Sequence, residues 1–68
     1  MTATLGTRIA ARRRALKLTQ RELAKRVDCE QATIARIERG VVKSPRAQLL
    51  YAISKHLKMS AQTLLGGR

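Results

Sequence analysis

Apolar residues recur at helical spacing almost throughout this chain, and nowhere do apolar and polar residues alternate long enough to make a half-buried strand. In 68 residues that pattern predicts short helices gathered around a single core. A domain this small buries only about 60% of the surface its unfolded chain exposes, so every helix must give its apolar face to the same core. An enzyme cleft with its own scaffold would not fit, and function is expected on the outer surface. No repeat, low-complexity stretch or linker divides the chain, so residues 1–68 read as one domain.

The helix boundaries are written in caps and breakers. A first helix is expected from Leu5 to Leu16 with Thr4 as its cap, and Leu5, Ile9 and Leu16 form its inner stripe. Arg12 falls on that stripe, where its stem would pack while its guanidinium snorkels outward. Thr19-Gln20-Arg21-Glu22 is a capping box, opening a second helix that shows Leu23, Ala24 and Val27 inward. Glu22 and Arg26 stand four apart, the spacing of a helical ion pair. That helix should stop near Val27, with Asp28 taking the left-handed turn. A third helix from Gln31 to Arg39 is closed by Gly40. Ile34 and Ile37 face inward, while Ala32, Arg36 and Arg39 project oppositely. Ser44-Pro45 predicts a fourth helix, with serine as cap and proline in the first turn, carrying Leu49, Leu50, Ile53 and Leu57 on its apolar stripe. Ser60 caps a last helix from Ala61 to Leu65, ended by Gly66-Gly67.

Charge narrows the partner. Fifteen Lys and Arg against four acidic residues give a net charge of +11, which repels itself in the folded state and suits a polyanionic partner. The one aromatic residue, Tyr51, argues against single-strand binding by base stacking, which uses several exposed rings. A lone cysteine, Cys29, excludes an internal disulfide and a cysteine-based zinc site, and the lone His56 has no second ligand nearby. No metal, cofactor or small-molecule substrate is therefore expected. No apolar run approaches the roughly 20 residues of a membrane span, and the opening MTATLG lacks the charged start and apolar core of a secretory signal. A soluble cytoplasmic protein is the expectation.

Two helices joined by a tight turn, the second basic on its outer side, describe a helix-turn-helix over about residues 20–39. The run Leu18 to Ala24, then Gln31-Ala32-Thr33-Ile34-Ala35-Arg36-Ile37-Glu38-Arg39-Gly40, resembles the lambda-type Cro/repressor family of phage and bacterial regulators. Pro45, the stretch Leu49 to Leu57, Met59-Ser60 and Leu64-Leu65 continue the likeness, which covers about residues 5 to 66. It implies an all-α, five-helix, lambda-repressor-like DNA-binding domain. Three departures stand out. Asp28 occupies a turn position where the family usually has glycine, Arg12 replaces a more often apolar residue, and the loop from Gly40 to Pro45 is one residue longer than the common form.

The resemblance implies a transcriptional regulator rather than an enzyme, namely a Cro-like repressor whose third helix enters the major groove of an operator. Gln31, Ala32, Thr33 and Arg36 would then read bases. The chemistry fits the positions: glutamine pairs bidentately with adenine, arginine with guanine, and Ala or Thr methyl groups meet the thymine methyl. Gln20, at a helix start where amide dipoles favour an anion, would hold a phosphate together with Arg39, Lys43 and Arg46. Similar proteins pair the arginine at Arg13 with the glutamate at Glu38. They also dimerise on a two-fold operator, which would make Met59, Leu64 and Leu65 contact candidates, although core packing accounts for those residues equally well. A helix-turn-helix antitoxin or anti-repressor working by protein contact is the competing class, and Arg36, Arg39 and the net charge weigh against it. A cationic protein acting on membranes or RNA would need a long amphipathic helix with large exposed apolar residues, which this sequence lacks.

Overall fold

A computed structural model describes residues 4–66; residues 1–3, and Gly67 of the expected terminal break, lie outside the described residues. Five helices follow in order: α1 (Leu5–Ala15), α2 (Gln20–Arg26), α3 (Gln31–Arg39), α4 (Ala47–His56) and α5 (Ala61–Leu64). There is no strand among the described residues. The molecule measures 28 × 23 × 22 Å.

Three helices start on the hydroxyl caps expected of them. Thr4 Oγ1 accepts the Thr7 amide at 3.2 Å, while Thr7 Oγ1 accepts the Thr4 amide at 2.8 Å. Thr19 and Glu22 exchange the same pair of bonds at 3.0 and 2.8 Å. These bonds to Thr19 hold the Glu22 carboxyl below its ordinary range, with Arg26 a lesser influence. Ser60 accepts the Thr63 amide at 3.0 Å and starts α5.

The helix ends share one device. Lys17, Asp28 and Lys58 each take a left-handed conformation (φ 59°, 58° and 59°) directly after a helix. The next amide then reaches back: Leu18 to Arg13 O at 3.0 Å, Cys29 to Ala24 O at 2.9 Å, and Met59 to Ser54 O at 3.0 Å. That is the Schellman arrangement, which satisfies helix-end carbonyls and turns an apolar side chain onto the core. The residue after each is the next N-cap, namely Thr19, Glu30 and Ser60. Three connectors are therefore the same three-residue unit of left-handed residue, apolar residue and cap. Gly40 (φ 83°) ends α3 in the same way, and Val41 N–H bonds Arg36 O at 3.0 Å.

Ile9, Leu23, Ile34, Ile37, Ile53, Leu57 and Leu64 form the buried centre, with Leu18, Val27 and Leu50 around them. Leu64 is thus a core residue with no exposed surface, which removes it from the candidate dimer contact. Met59 is half-buried against the core, and Leu65 is exposed.

Three expectations are corrected. First, α4 starts at Ala47, not at Ser44-Pro45, and its N-cap Arg46 makes no side-chain cap bond. The chain from Gly40 instead runs on to lay Val42 against the core before helix resumes. Second, Arg12 does not simply snorkel into solvent. Its Nε donates to Leu57 O at 2.9 Å and so caps the end of α4 from α1. Third, the buried face of α1 is Gly6, Ile9, Ala10 and Arg13, while Leu5 and Leu16 pack at its margin.

Candidate nucleic-acid interface

The α3 helix is fixed on its inner side and free on its outer side. Ile34 and Ile37 anchor it in the core, and Glu38 adds a polar anchor. Arg13 grips that carboxylate with Nε to Oε2 at 2.7 Å and Nη2 to Oε1 at 3.0 Å, while Nη1 donates to Leu18 O at 2.8 Å. Both side chains are almost covered, at 9% and 5% exposed. The bond to Glu38 raises the already high Arg13 pKa, burial opposes it, and the charge of Glu38 adds to the rise. The ion pair expected between these residues is present, and no buried side-chain polar atom among the described residues lacks a partner.

Gln20 joins this pair. Its Nε2 donates to Glu38 Oε1 at 2.9 Å. One residue of α1, one of α2 and one of α3 therefore meet at a single carboxylate. The side chain expected to hold a phosphate thus also makes a positioning bond, which leaves one amide hydrogen and its oxygen for other partners.

Opposite the anchors, Ala32, Arg36 and Arg39 are exposed, with Gln31 exposed at the helix start. Helical spacing puts Ala35, half-buried, on the same side as Ala32. Two alanines along the face let the helix backbone approach a facing surface closely, and the longer Gln31, Arg36 and Arg39 flank them. Ala35 was not singled out by the sequence, because an alanine carries no donor or acceptor to draw notice. Thr33 differs from the other three base-reading candidates. It is half-buried and lines a groove of about 690 Å³ shared with Asp28, Cys29, Val42, Pro45 and Leu49. Burial, with Asp28 and Glu30 nearby, raises the pKa of the Cys29 thiol in that groove.

Lys43 and Arg46 are exposed beyond the end of α3, Lys43 in the Gly40–Pro45 loop and Arg46 at the start of α4. Arg39 precedes them on the last turn of α3. These three make no ion pair, since Arg13–Glu38 is the one salt bridge among the described residues. No three His, Cys, Asp or Glu side chains gather into a metal-binding group there, and no described helix is long and apolar enough to cross a membrane.

A short helix locked to a preceding helix across a left-handed turn, with a cationic outer face, defines a helix-turn-helix domain. The profile of the helix-turn-helix family matches residues 9–64, and the chain belongs to that family. Among curated relatives, it is 41% identical over 64 residues to the HTH-type transcriptional regulator DicA of Escherichia coli, covering 94% of this chain and 47% of DicA. The chain thus spans about half the length of that relative. Among solved structures, it is similar to the P22 c2 repressor in complex with a synthetic operator, with TM-score 0.91 and 39% identity over 98% of this chain and 100% of that one. It is also similar to SinR, the master regulator for biofilm formation, in complex with DNA, with TM-score 0.86 and 31% identity over 91% of this chain and 98% of that one.

Proposed function

We propose that this chain is a DNA-binding transcriptional regulator, a Cro-like repressor that reads a palindromic operator as a dimer by laying α3 in the major groove. One observation carries the reading. The exposed side of α3 combines a small-residue centre at Ala32 and Ala35 with Gln31 and Arg36, while its other side is locked by Ile34, Ile37 and the Arg13–Glu38 pair. A rigid helix of this kind brings donors to base edges without first having to order itself. Gln31 supplies a bidentate partner for adenine, Arg36 for guanine, and Ala32 a methyl contact for thymine. Thr33, half-buried at the flank of that face, is the candidate with least reach toward the bases. Arg39, Lys43 and Arg46 continue along the sugar-phosphate backbone and set register without reading sequence.

Size argues for two copies. The longest dimension of 28 Å spans about eight base-pair steps at ~3.4 Å each, less than one helical turn. Two domains related by a two-fold axis read half-sites about one turn apart. Met59 and exposed Leu65 are the remaining candidates for their contact. Bound across a promoter, such a pair excludes polymerase sterically.

Selection of random ~25-base-pair duplexes, long enough for two half-sites about 10 base pairs apart, tests the reading. Enrichment of a palindrome with that spacing is expected, and Arg36→Ala should relax preference at one base of each half-site. Salt-sensitive binding without any enriched sequence would overturn it and turn attention to a protein partner.

A further inference from the structure

We infer that Glu30 is a further specificity-determining residue: its carboxylate accepts the amino group of a cytosine at the leading end of α3, in a base pair beside the one assigned to Gln31. The inference rests on the DNA-binding reading above and extends it by one base, and by the rejection of duplexes that lack that base.

Glu30 stands apart from the other caps. Three connectors share the unit of left-handed residue, apolar residue and N-cap. In two of them the cap is a hydroxyl bonded to the third amide of its helix, at Thr19 and Ser60. Glu30 holds the equivalent place before α3, yet its side chain makes no cap bond. Its carbonyl alone receives the Thr33 and Ile34 amides, at 3.0 and 3.4 Å. The helix dipole favours a negative charge there, but an aspartate would supply that charge and cap as well. The start of α3 therefore does not account for a glutamate.

Charge pairing does not account for it either. Cations outnumber acids fifteen to four in this chain, yet the exposed Glu30 joins no ion pair among the described residues. Glu22 and Glu38, by contrast, are both engaged. Phosphates repel a free carboxylate, whereas base edges offer it a hydrogen-bond donor. Recognition helices present their N-terminal residues to base edges, and Glu30 lies one residue ahead of Gln31 at that end. In the major groove cytosine shows a lone amino donor, while adenine sets its amino group beside the N7 acceptor. Guanine and thymine present acceptors, which repel a carboxylate. Glu30 therefore selects cytosine, as Arg36 selects the acceptors of guanine. The two lie about 9 Å apart along the helix at ~1.5 Å per residue, so they address different base pairs. An unanswered negative charge also weakens binding wherever the cytosine is missing, and so sharpens the choice by repulsion.

Duplex selection with the full chain and with Glu30→Ser tests this, since serine keeps a capping residue and removes the charge. The wild type should enrich a cytosine at one position of each half-site, next to the pair assigned to Gln31. In Glu30→Ser that position alone should lose its preference, while the guanine assigned to Arg36 stays. Affinity for the wild-type operator should fall about tenfold per half-site, the effect of one mismatched base pair. Affinity for an unrelated duplex should rise about twofold, the relief of one like charge ~8 Å away in water. Glu30→Gln, whose amide both donates and accepts, should admit adenine at the same position. Thermal melting of Glu30→Ser at or above the wild-type Tm checks that it folds. An unchanged sequence preference with both affinities raised would overturn the inference and leave base reading by the rest of α3 intact. Loss of the Arg36 guanine as well would also overturn it, because Glu30 would then be holding the helix rather than reading a base. No enriched sequence in the wild type would overturn base reading by α3 and the inference with it.

Discussion

Replacing Gly6 by alanine sets two magnitudes of opposite sign against each other. Within a helix, alanine is favoured over glycine by about 0.8–1.0 kcal/mol, so propensity alone predicts a more stable protein. The structure predicts the reverse. A Cβ at Gly6 would stand 2.6 Å from Glu38 O and 2.8 Å from Glu38 C, and closer still to Ile37 O. Ordinary contact begins near 3.4 Å, so α1 and α3 would have to separate by much of an ångström. The obstructing atoms are backbone, with no rotamer to move aside. Overpacking of a tight core costs about 1–3 kcal/mol, and a backbone obstruction belongs at the upper end. The net expectation is a loss of about 2 kcal/mol, which for a domain of this size lowers Tm by about 8–16 °C. Thermal and urea denaturation of Gly6→Ala measure it directly. Because Ile37 and Glu38 are anchors of α3, operator affinity should fall as well, even at temperatures where the variant is fully folded. A variant as stable as the parent, or more so, would refute the claim that glycine is required where α1 crosses α3.

Three further perturbations test the local physics. Glu38→Ala strands a nearly buried guanidinium and removes the Gln20 bond, and should cost about 3–5 kcal/mol in denaturant unfolding; Arg13→Met combined with Glu38→Leu should recover most of that loss, because neither charge is then left alone. The Glu22 carboxyl has its pKa depressed in the folded state, so its stabilising contribution is complete above the ordinary value of about 4.5 and is lost as pH falls below it. Glu22→Gln should therefore flatten the fall in Tm seen on acidification below that pH, and an identical acid limb in both proteins would contradict the assigned role of the capping box. Asp28→Gly relieves a left-handed residue worth about 1–2 kcal/mol, partly offset by about 0.5–1 kcal/mol of added unfolded-state entropy, so a net gain of up to about 1.5 kcal/mol is expected in thermal melting.

Much of the fold was legible because its boundaries are made by local chemistry. The Thr4, Thr19 and Ser60 caps, the left-handed Asp28 and the closing Gly40 act within a few residues of themselves, and the sequence displays them directly. Features built across the chain were not legible. Lysine is no marker of left-handed backbone, so nothing local predicts Lys17 and Lys58 as helix ends; they are defined by the Leu18 and Met59 amides returning to the helices before them. Ser44-Pro45 has the composition of a helix start, yet the distant demand that Val42 reach the core delayed α4 to Ala47. The sequence predicts a packed Arg12 stem with an outward guanidinium and no partner for it, because that partner, the backbone carbonyl of Leu57, has no side-chain signature. Of the site, the exposed positions on α3 followed from periodicity, whereas Gln20 bonding Glu38 and Thr33 facing a separate groove depend on how three helices meet.

The four acidic residues explain how a chain with a net charge of +11 folds while leaving its cations free. Glu22 closes the start of α2, Asp28 ends it, Glu30 caps α3 from its backbone, and Glu38 lies in the last turn of α3. All four stand at or near helix ends, and only Glu38 neutralises a cation by direct contact. The acids therefore serve the fold, while Arg14, Lys17, Arg21, Arg36, Arg39, Lys43 and Arg46 remain exposed. Folding and binding are divided between different residues, so substitutions among those seven cations should change affinity with little cost in stability, because surface changes away from packed contacts usually stay within about 0.5 kcal/mol. Gln20 belongs to both sets, since it positions α3 through Glu38 and stands at the first position of α2, where a phosphate is expected. Of the residues facing the proposed duplex, it is therefore the one whose loss should lower stability and affinity together.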